Sequence, residues 1–463
     1  MENLMEKVQS LAKRRGFVYQ GSDIYGGMAG LYDFGPYGVE LLRNIKESWW
    51  KANVTSRDDY VGLDSALFKD PRVWEASGHT SSFSDPLAEC KECNTRIRVD
   101  KELGKIGVEA DEKMSEEELG ALFDAHRGEI PCPKCGKKNF SAVRTFNLLV
   151  QSNLGDFTGE NKHPVYLPGE ACQGIYLNFK NIVDTTRMHV PFGVAQIGKA
   201  FRNEISPRNF LFRTREFEQA DTQFFVKPNE NKEAYERIKQ ERWDWYRSLG
   251  IKEENLRWKQ HDNLAFYAAD AWDIEYNFPT GFDEVEGIHD RTDYDLSQHS
   301  KFSGTDLSYV DPTTGEKYIP WILETSMGLG RVFLAVMSEA YSEDTLGEDT
   351  RTVLRFAPHL APVKAAVFPL LKNKPELVEK AREVYVMLKK EIGAVEWDDN
   401  GNIGKRYRRQ DEIGTPWCVV IDFDTLGEDP DLLGTVTVRD RDTGAQERIA
   451  ISELAAKIKA HLG

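Results

Sequence analysis

One stretch constrains this chain more than any other. FRNEISPRNFLFRTREFEQAD, Phe201 to Asp221, sets four arginines, four acids and four phenylalanines in twenty-one positions. A solvated helix face could carry the charges but has no use for the rings. A core strand could carry the rings but would not bury unpaired charge. The polar floor of a sheet accommodates both. We read VAQIGKAFRNE and FRTREFEQADTQFFV as the two strands of a hairpin. Side chains alternate between the faces of a strand, so Arg213, Arg215, Phe217, Gln219 and Asp221 share one face of the second strand. Arg202 and Glu204 share a face of the first. Guanidinium groups for phosphates, a ring to stack on a base and carboxylates for polar edges together suit a nucleoside triphosphate. An interlocked surface salt-bridge network would use the same residue types.

The surroundings of the hairpin indicate an α+β fold. VYLPGEACQGIYLNF, WDIEYNF and YIPWILETS read as further strands, and helices of the crossover kind mostly do not separate them, which favours an antiparallel sheet. A long helix is expected over Asn231–Leu249, with Tyr235, Ile238, Trp245 and Leu249 on its buried side. Four segments follow. Residues 1–83 form the first part of a catalytic domain, where Gly35-Pro36 breaks the chain and Val39, Leu42, Ile45 and Trp49 recur at helical spacing. Residues 84–146 change character and look like an insertion, with a Ser115/Glu118 capping box in SEEELGALFDAHRG. Residues 147–355 hold most of the strands. Residues 356–463 alternate strand and helix, as expected of a separate α/β domain with a mixed sheet.

Six cysteines divide unevenly: Cys90 and Cys93 form one CxxC, Cys132 and Cys135 another, and Cys172 and Cys418 stand alone. Two such pairs are either a structural zinc site or two reduced pairs in a solvent-exposed insertion. No apolar run approaches the roughly 18–20 residues that span a bilayer. The opening MENLMEKVQSLAKRRGF has early acids and no apolar core, so a cytosolic location is expected. The net charge of −16 argues against a general nucleic-acid coat. It leaves room for a local basic patch, and GKRYRRQDE offers one in Lys405, Arg406, Arg408 and Arg409 around Tyr407. On its own that segment reads equally as a solvated helix face.

Several motifs, in order, carry a family resemblance. FRNE…RTREF resembles the second signature motif of class II aminoacyl-tRNA synthetases. GLGR, Gly328–Arg331, after the strand WILETS and opening the helix VFLAVM, resembles the third. YDFGPYGVELLRNIKESWW resembles the first, where that family dimerises. VGLDSALFKDPRVWEASGH, EGIHDRTDYDL, ETSMGLGR and IGKRYRRQDEIGTPWCVVIDF extend the likeness over nearly the whole chain, to the homodimeric glycyl-tRNA synthetase family. The resemblance implies an antiparallel catalytic sheet, a C-terminal anticodon-binding domain and a two-step reaction using ATP with Mg2+, glycine and tRNA(Gly).

It also implies roles. Arg202 bridges the α-phosphate and the amino-acid carboxylate, and with Arg331 carries the catalysis. Phe217 stacks on adenine and Glu204 reads its amino edge, while Arg213 and Arg331 grip the γ-phosphate. Asn203, Phe212, Val285, Gly328 and Gly330 complete the ATP site, and Glu284 lies near the nucleotide and its magnesium. Glu170, Asp221 and Glu324, with Glu218 and Ser326, surround the glycine ammonium; Arg291 is their basic partner, and Arg98 closes over the site from the insertion. A cavity filled by these groups excludes a methyl by overlap, so no editing domain is needed. The basic segment becomes a tRNA contact, with Lys and Arg on phosphates and Tyr407 on a base, while Asp411 and Glu412 are alternatively structural. Two departures bear on the fine geometry. The family usually reads RPETAQG where this chain has PGEACQG, and Glu where Asp221 stands. Competing readings are a non-catalytic tRNA-binding relative, a synthetase for proline, threonine or serine, and a zinc-ribbon nucleic-acid binder.

Overall fold

The computed structural model describes residues 3–462 apart from 111–113, 156–161, 206, 208, 263, 265–267 and 347–348. The arginine-rich stretch lies in a seven-stranded sheet. In chain order its strands are β1 (Tyr60–Gly62), β2 (Phe192–Phe201), β3 (Glu216–Val226), β4 (Leu256–Gln260), β5 (Asp270–Phe278), β6 (Gly281–Thr292) and β7 (Trp321–Gly328). They lie side by side as β4-β5-β6-β7-β3-β2-β1. Every pair is antiparallel except β1 with β2 at one edge.

One face of this sheet is mostly core. Ala195, Ala220, Phe224, Ile288, Leu323 and Met327 pack against α1 (Pro36–Trp50), α2 (Lys232–Ser248) and α3 (Leu329–Ala340). In α2 the buried positions include Tyr235, Ile238 and Trp245, as the spacing predicts. In α1 the inward stripe is Leu41, Leu42, Ile45 and Trp49. Val39, expected on that stripe, is 48% exposed instead.

The other face changes character along its length, and this change positions the site. At one end Phe192, Val194, Phe225 and Ile322 are apolar and pack on Ile175, Phe179 and Ile182. Those three belong to the helices Gln173–Leu177 and Phe179–Thr186, so the expected strand VYLPGEACQGIYLNF holds only as far as Leu167, and from Gln173 the chain is helical. There the buried residues recur every three or four positions, a helical period that overrode the strand-like composition. Further along the same strands the face is polar. Asp221 on β3 stands opposite Gln196 on β2 and Ser326 on β7, and Ser326 in turn opposes Gly287 on β6.

Residues 84–147 form a small three-stranded sheet, with Ser84–Glu89 between Arg96–Arg98 and Arg144–Asn147. Ser115 and Glu118 make the expected reciprocal cap on the helix Glu116–His126. The last sheet contains β8 (Ala365–Pro369), β9 (Val395–Trp397), β10 (Trp417–Ile421), β11 (Thr435–Asp440) and β12 (Gln446–Ala450), ordered β9-β8-β10-β11-β12. Its first two pairings are parallel and the last two antiparallel, the mixed sheet expected. Helices α4 (Pro375–Ile392) and α6 (Ile451–Lys459) cover one face, and α5 (Ile403–Ile413) the other through Ile403 and Tyr407. Among the described residues no helix is long and apolar enough to cross a membrane.

Candidate active site

At the polar end of the central sheet an open cleft is lined by Arg202, Glu204, Phe212, Arg213, Phe217, Gln219, Glu284, Ser326, Gly328, Gly330 and Arg331. The strand termini and the loop before β3 deliver this set. The Arg202 guanidinium lies 5.2 Å from the ring centroid of Phe83 and 5.3 Å from that of Phe217. Its Nε donates to the Gly169 carbonyl at 3.1 Å. Arg331 donates to the Phe212 and Glu284 carbonyls at 3.2 and 3.1 Å, meets the Glu284 carboxylate at 3.1 Å and sits 4.4 Å over the Phe212 ring. Arg213 Nε pairs with Glu204 Oε2 at 2.6 Å. Each acid thus holds a guanidinium at the cleft wall in a fixed direction, before any anion arrives.

Some expected members are elsewhere. β2 ends at Phe201 and β3 begins at Glu216, so Arg202, Glu204, Arg213 and Arg215 lie on the intervening connection rather than on the hairpin's strands. A turn at Phe210–Phe212, entered with Asn209 and Phe210 at positive φ, swings Arg213 back over the cleft. Arg215 is committed to the Glu204 and Ala29 carbonyls at 2.8 and 3.1 Å. Glu218 alternates onto the opposite face from Asp221 and pairs with Lys46 of α1 at 2.6 Å, so it does not join the acids. The Val285 side chain is core, and Asn203 uses its backbone N–H on Leu148 at 2.8 Å. Gly330 allows a close approach, since a Cβ there would sit 3.2 Å from the Leu211 carbonyl oxygen. A Cβ on Gly328 would make only ordinary contact, 3.8 Å from Arg331 Cγ.

Beyond Gln219 the face becomes a buried acidic pocket. Arg291 Nη1 meets Glu324 at 2.9 Å while its other nitrogens clamp Asp295 at 2.7 and 3.0 Å. Gln223 and His289 hold Glu324 at 3.0 and 3.2 Å. Gln173 donates to Glu170 at 2.7 Å, with His79 3.5 Å away. Burial alone would raise both glutamates, yet His79 and Arg291 hold Glu170 well below the usual carboxylate range. Arg291 and His289 likewise hold Glu324 down to about 2. Asp221 differs. It is 1% exposed, and neither carboxylate oxygen has a hydrogen-bond partner among the described residues. Burial pushes its pKa well above the ordinary value, and the charges of Glu324 and Glu170 add to this, outweighing the opposite pull of the neighbouring Ser326 hydroxyl and of Arg291. A buried, unpartnered carboxylate beside two ionised ones is a hole for a small cation.

Sequence reasoning did not find several of these groups. The alternation that exposes Asp221 already placed Gln219 on the same face, and carried two residues further it would have named Gln223. Phe83, His79 and Asp295 carry no comparable pattern, and folding alone brings them in. Arg98 is held by Asp85 at 2.9 Å and Asp100 at 2.6 Å. Asp85 also approaches Arg213 at 3.8 Å, which links the insertion to the cleft through a chain of ion pairs.

In the insertion the four paired cysteines converge. Cys90 and Cys135 sulfurs lie 3.6 Å apart, as do those of Cys93 and Cys132, and all four lie within 4.8 Å of one another. Zinc–sulfur bonds of about 2.3 Å in a tetrahedron place sulfurs roughly 3.8 Å apart, so the four residues fit that ion. The basic helix α5 fits its expected role less well. Arg406 is 2% exposed and donates to the Asp399 and Gly401 carbonyls at 3.1 and 2.8 Å. Tyr407 packs on Phe368, with Arg439 over its ring at 4.7 Å. Both are therefore structural, because α5 buries that side on the sheet. Arg408 donates to the Thr350 carbonyl at 2.6 Å and Arg409 pairs with Asp398 at 2.6 Å, while Lys405 is exposed. Asp411 is structural, gripping Arg439 at 2.8 Å and Arg351 at 3.0 Å. Glu412 pairs with Arg14 and Arg15.

Comparison with known proteins agrees with this geometry. Residues 156–340 match the tRNA synthetase class II core domain (G, H, P, S and T), and residues 364–461 match an anticodon binding domain. The chain is similar to the glycine–tRNA ligase of Clostridium perfringens, 49% identical over 476 residues, covering 100% of this chain and 99% of the relative. It is also 49% identical to that of Clostridium acetobutylicum, over 98% of this chain and 97% of the relative. The glycine–tRNA ligase of Caldanaerobacter subterraneus subsp. tengcongensis is 49% identical as well, over 97% and 96%.

Proposed function

This chain belongs to the glycine–tRNA ligase family of class II synthetases, and from that premise we propose how its cleft and acidic pocket divide the family's reaction. The enzyme joins glycine to ATP, giving glycyl-adenylate and pyrophosphate, then passes the glycyl group to the 3′ end of tRNA(Gly). In the first step a glycine carboxylate oxygen attacks the α-phosphorus and the bond to pyrophosphate breaks. Two anions must therefore be held together against their repulsion.

Arg202 does this. It stands between the nucleotide-side ring Phe217 and the glycine-side carbonyl of Gly169, within reach of both anions. Phe217 offers a stacking surface to adenine, and Glu204 an acceptor for its amino group. Arg213 and Arg331 take the far phosphates, leaving their present acid partners. Glu284 would help hold the Mg2+ that neutralises phosphate charge when bound. Asp221 receives the glycine ammonium, flanked by Glu170 and Glu324. The single observation that carries this reading is the unpartnered Asp221 carboxylate, buried a few residues along the same strand from Phe217. Its shortness relative to the family's usual glutamate suits a contact made at arm's length or through water. Amino-acid-dependent exchange of pyrophosphate into ATP tests it: glycine supports exchange, and alanine, serine and proline do not. Exchange with serine but not glycine would overturn the substrate assignment.

Three further parts of the reading rest on separate observations. Zinc bound by Cys90, Cys93, Cys132 and Cys135 would tie the insertion together, since Cys90 and Cys132 belong to its hydrophobic core and Cys93 packs against it. Metal analysis of Cys132→Ser is expected to show about one zinc fewer per chain; unchanged content removes the ion. A homodimer is supported by Ile24 and Tyr25, 90% and 88% exposed ahead of α1, apolar surface that a solitary subunit seldom displays. Sedimentation at 52.8 kDa, one chain, would exclude it. On α5, Lys405, Arg408 and Arg409 remain as the tRNA contacts, and tRNA affinity that ignores Lys405→Glu would dismiss the helix from that role.

A further inference from the structure

We propose that His261, Asp273 and His289 bind a divalent cation of the zinc class, a second metal site separate from the cysteines. Its link to catalysis rests on Glu324 being a glycine-binding acid; the site itself does not. Asp273 on β5 stands opposite Gly287 on β6, with His289 two residues further on. The face is the one that carries Ser326 and Glu324. His261 follows β4 and donates its backbone N–H to the Ala271 carbonyl at 3.0 Å, which brings it alongside. One ligand atom from each of the three lies within 4.8 Å of the other two.

The geometry leaves a ring nitrogen available as a ligand. His289 Nδ1 is 3.2 Å from Glu324 Oε2. An ionised carboxylate only accepts, so Nδ1 is the donor, and in the neutral ring Nε2 offers its lone pair. Nε2 is buried and has no partner among the described residues. His261 Nε2 faces Asp273 Oδ2 at 2.8 Å as an ion pair. His289 Nε2 is thus left unmet beside an imidazole–carboxylate pair, and a shared cation would engage all three. The backbone leaves the room: a Cβ on Gly287 would stand 3.1 Å from His289 Nε2 and 3.6 Å from Asp273 Oδ1. Two imidazoles with one carboxylate suit zinc and its neighbours, whereas magnesium prefers oxygen donors throughout. Glu324 then acts as the outer carboxylate that orients a metal-bound histidine. A cation at Nε2 would fix the Nδ1–H on Glu324 and steady the acid that faces glycine.

Metal-stripped full-length protein titrated with Zn2+ and with Co2+ tests this. We expect one more ion per chain in the wild type than in His261→Ala or Gly287→Ala, whatever the cysteines bind. With Co2+ the extra ion adds weak visible bands and no thiolate charge-transfer absorption. Glu324→Gln should weaken that ion by roughly 10–100-fold, an effect that a purely structural histidine would not show. In the wild type, loading the site should lower the glycine Kd, and in His261→Ala it should not. Equal stoichiometry in wild type and both variants, each folded by circular dichroism, overturns the site. Filling by Mg2+ in preference to Zn2+ overturns the assigned class. A glycine Kd that ignores loading while the ion binds overturns the coupling to Glu324 and leaves the substrate reading to the exchange assay.

Discussion

Arg202→Ala is expected to lower glycine-dependent pyrophosphate exchange by roughly 10²–10³-fold, the loss typical of one preorganised charge-stabilising donor. The guanidinium lies between two rings, which fix its plane, and one carbonyl, which fixes its direction. It therefore needs no reorganisation when the carboxylate and the α-phosphate approach. Arg202→Lys should recover only part of the rate, because an ammonium keeps the charge but not the planar fork. Stability should change little, since the residue makes one hydrogen bond to the main chain and two contacts to rings, together worth about 1–3 kcal/mol. Urea unfolding alongside exchange kinetics separates the two effects. Near-normal exchange by a folded Arg202→Ala protein would remove this residue from the chemistry and with it the proposed alignment of anions.

Arg291→Ala should act chiefly on stability, lowering it by about 3–5 kcal/mol at neutral pH, the cost of breaking a buried ion pair from one side. Arg291 is the buried cation shared by Asp295 and Glu324, and its field also reaches Glu170 and Asp221. Without it, the buried Asp221, Asp295 and Glu324 and the half-buried Glu170 face one another with only histidines and amides between them. The pH dependence follows from the sign of the shifts. Burial opposes ionisation of Glu324, but Arg291 and His289 bring its pKa down to about 2. A depressed carboxylate contributes stability that is present above its unfolded pKa near 4.3 and is lost as pH falls towards 2. The deficit of Arg291→Ala should therefore be full at pH 7 and shrink below about pH 4, as the freed acids take up protons. A deficit that is flat from pH 7 to pH 3 would show that Arg291 acts by packing rather than by charge.

Much of this enzyme is legible one residue at a time. The alternation in Glu216–Val226 puts Phe217, Gln219 and Asp221 on a common face in any fold that keeps the strand. Gly328 to Arg331 close a strand and open a helix because Gly330 tolerates the Leu211 carbonyl and the apolar run after it has helical spacing. The two CxxC pairs supply four thiols by residue type, but the sequence left open whether they meet, and the fold brings all four within 4.8 Å of one another. Local periodicity misleads where two periods fit one run. QGIYLNF has strand-like composition yet folds into helices, since Ile175 and Phe179, with Ile182 beyond them, have a sheet to dock on.

Alternation also overstates the hairpin, because Arg213 and Arg215 precede β3 and a turn with left-handed residues decides which of them faces the cleft. The basic helix shows the same division. Its charge is written in the sequence, but the side that α5 buries on its sheet determines that Arg406 is structural and Lys405 is free to meet a phosphate. What the sequence determined by itself, then, is the inventory of charges, rings and thiols and the short-range periods that order them. Only the tertiary structure decided which carboxylate goes unpartnered. That depends on how many donors reach it from distant strands: Arg291, Gln223 and His289 converge on Glu324, and none reaches Asp221.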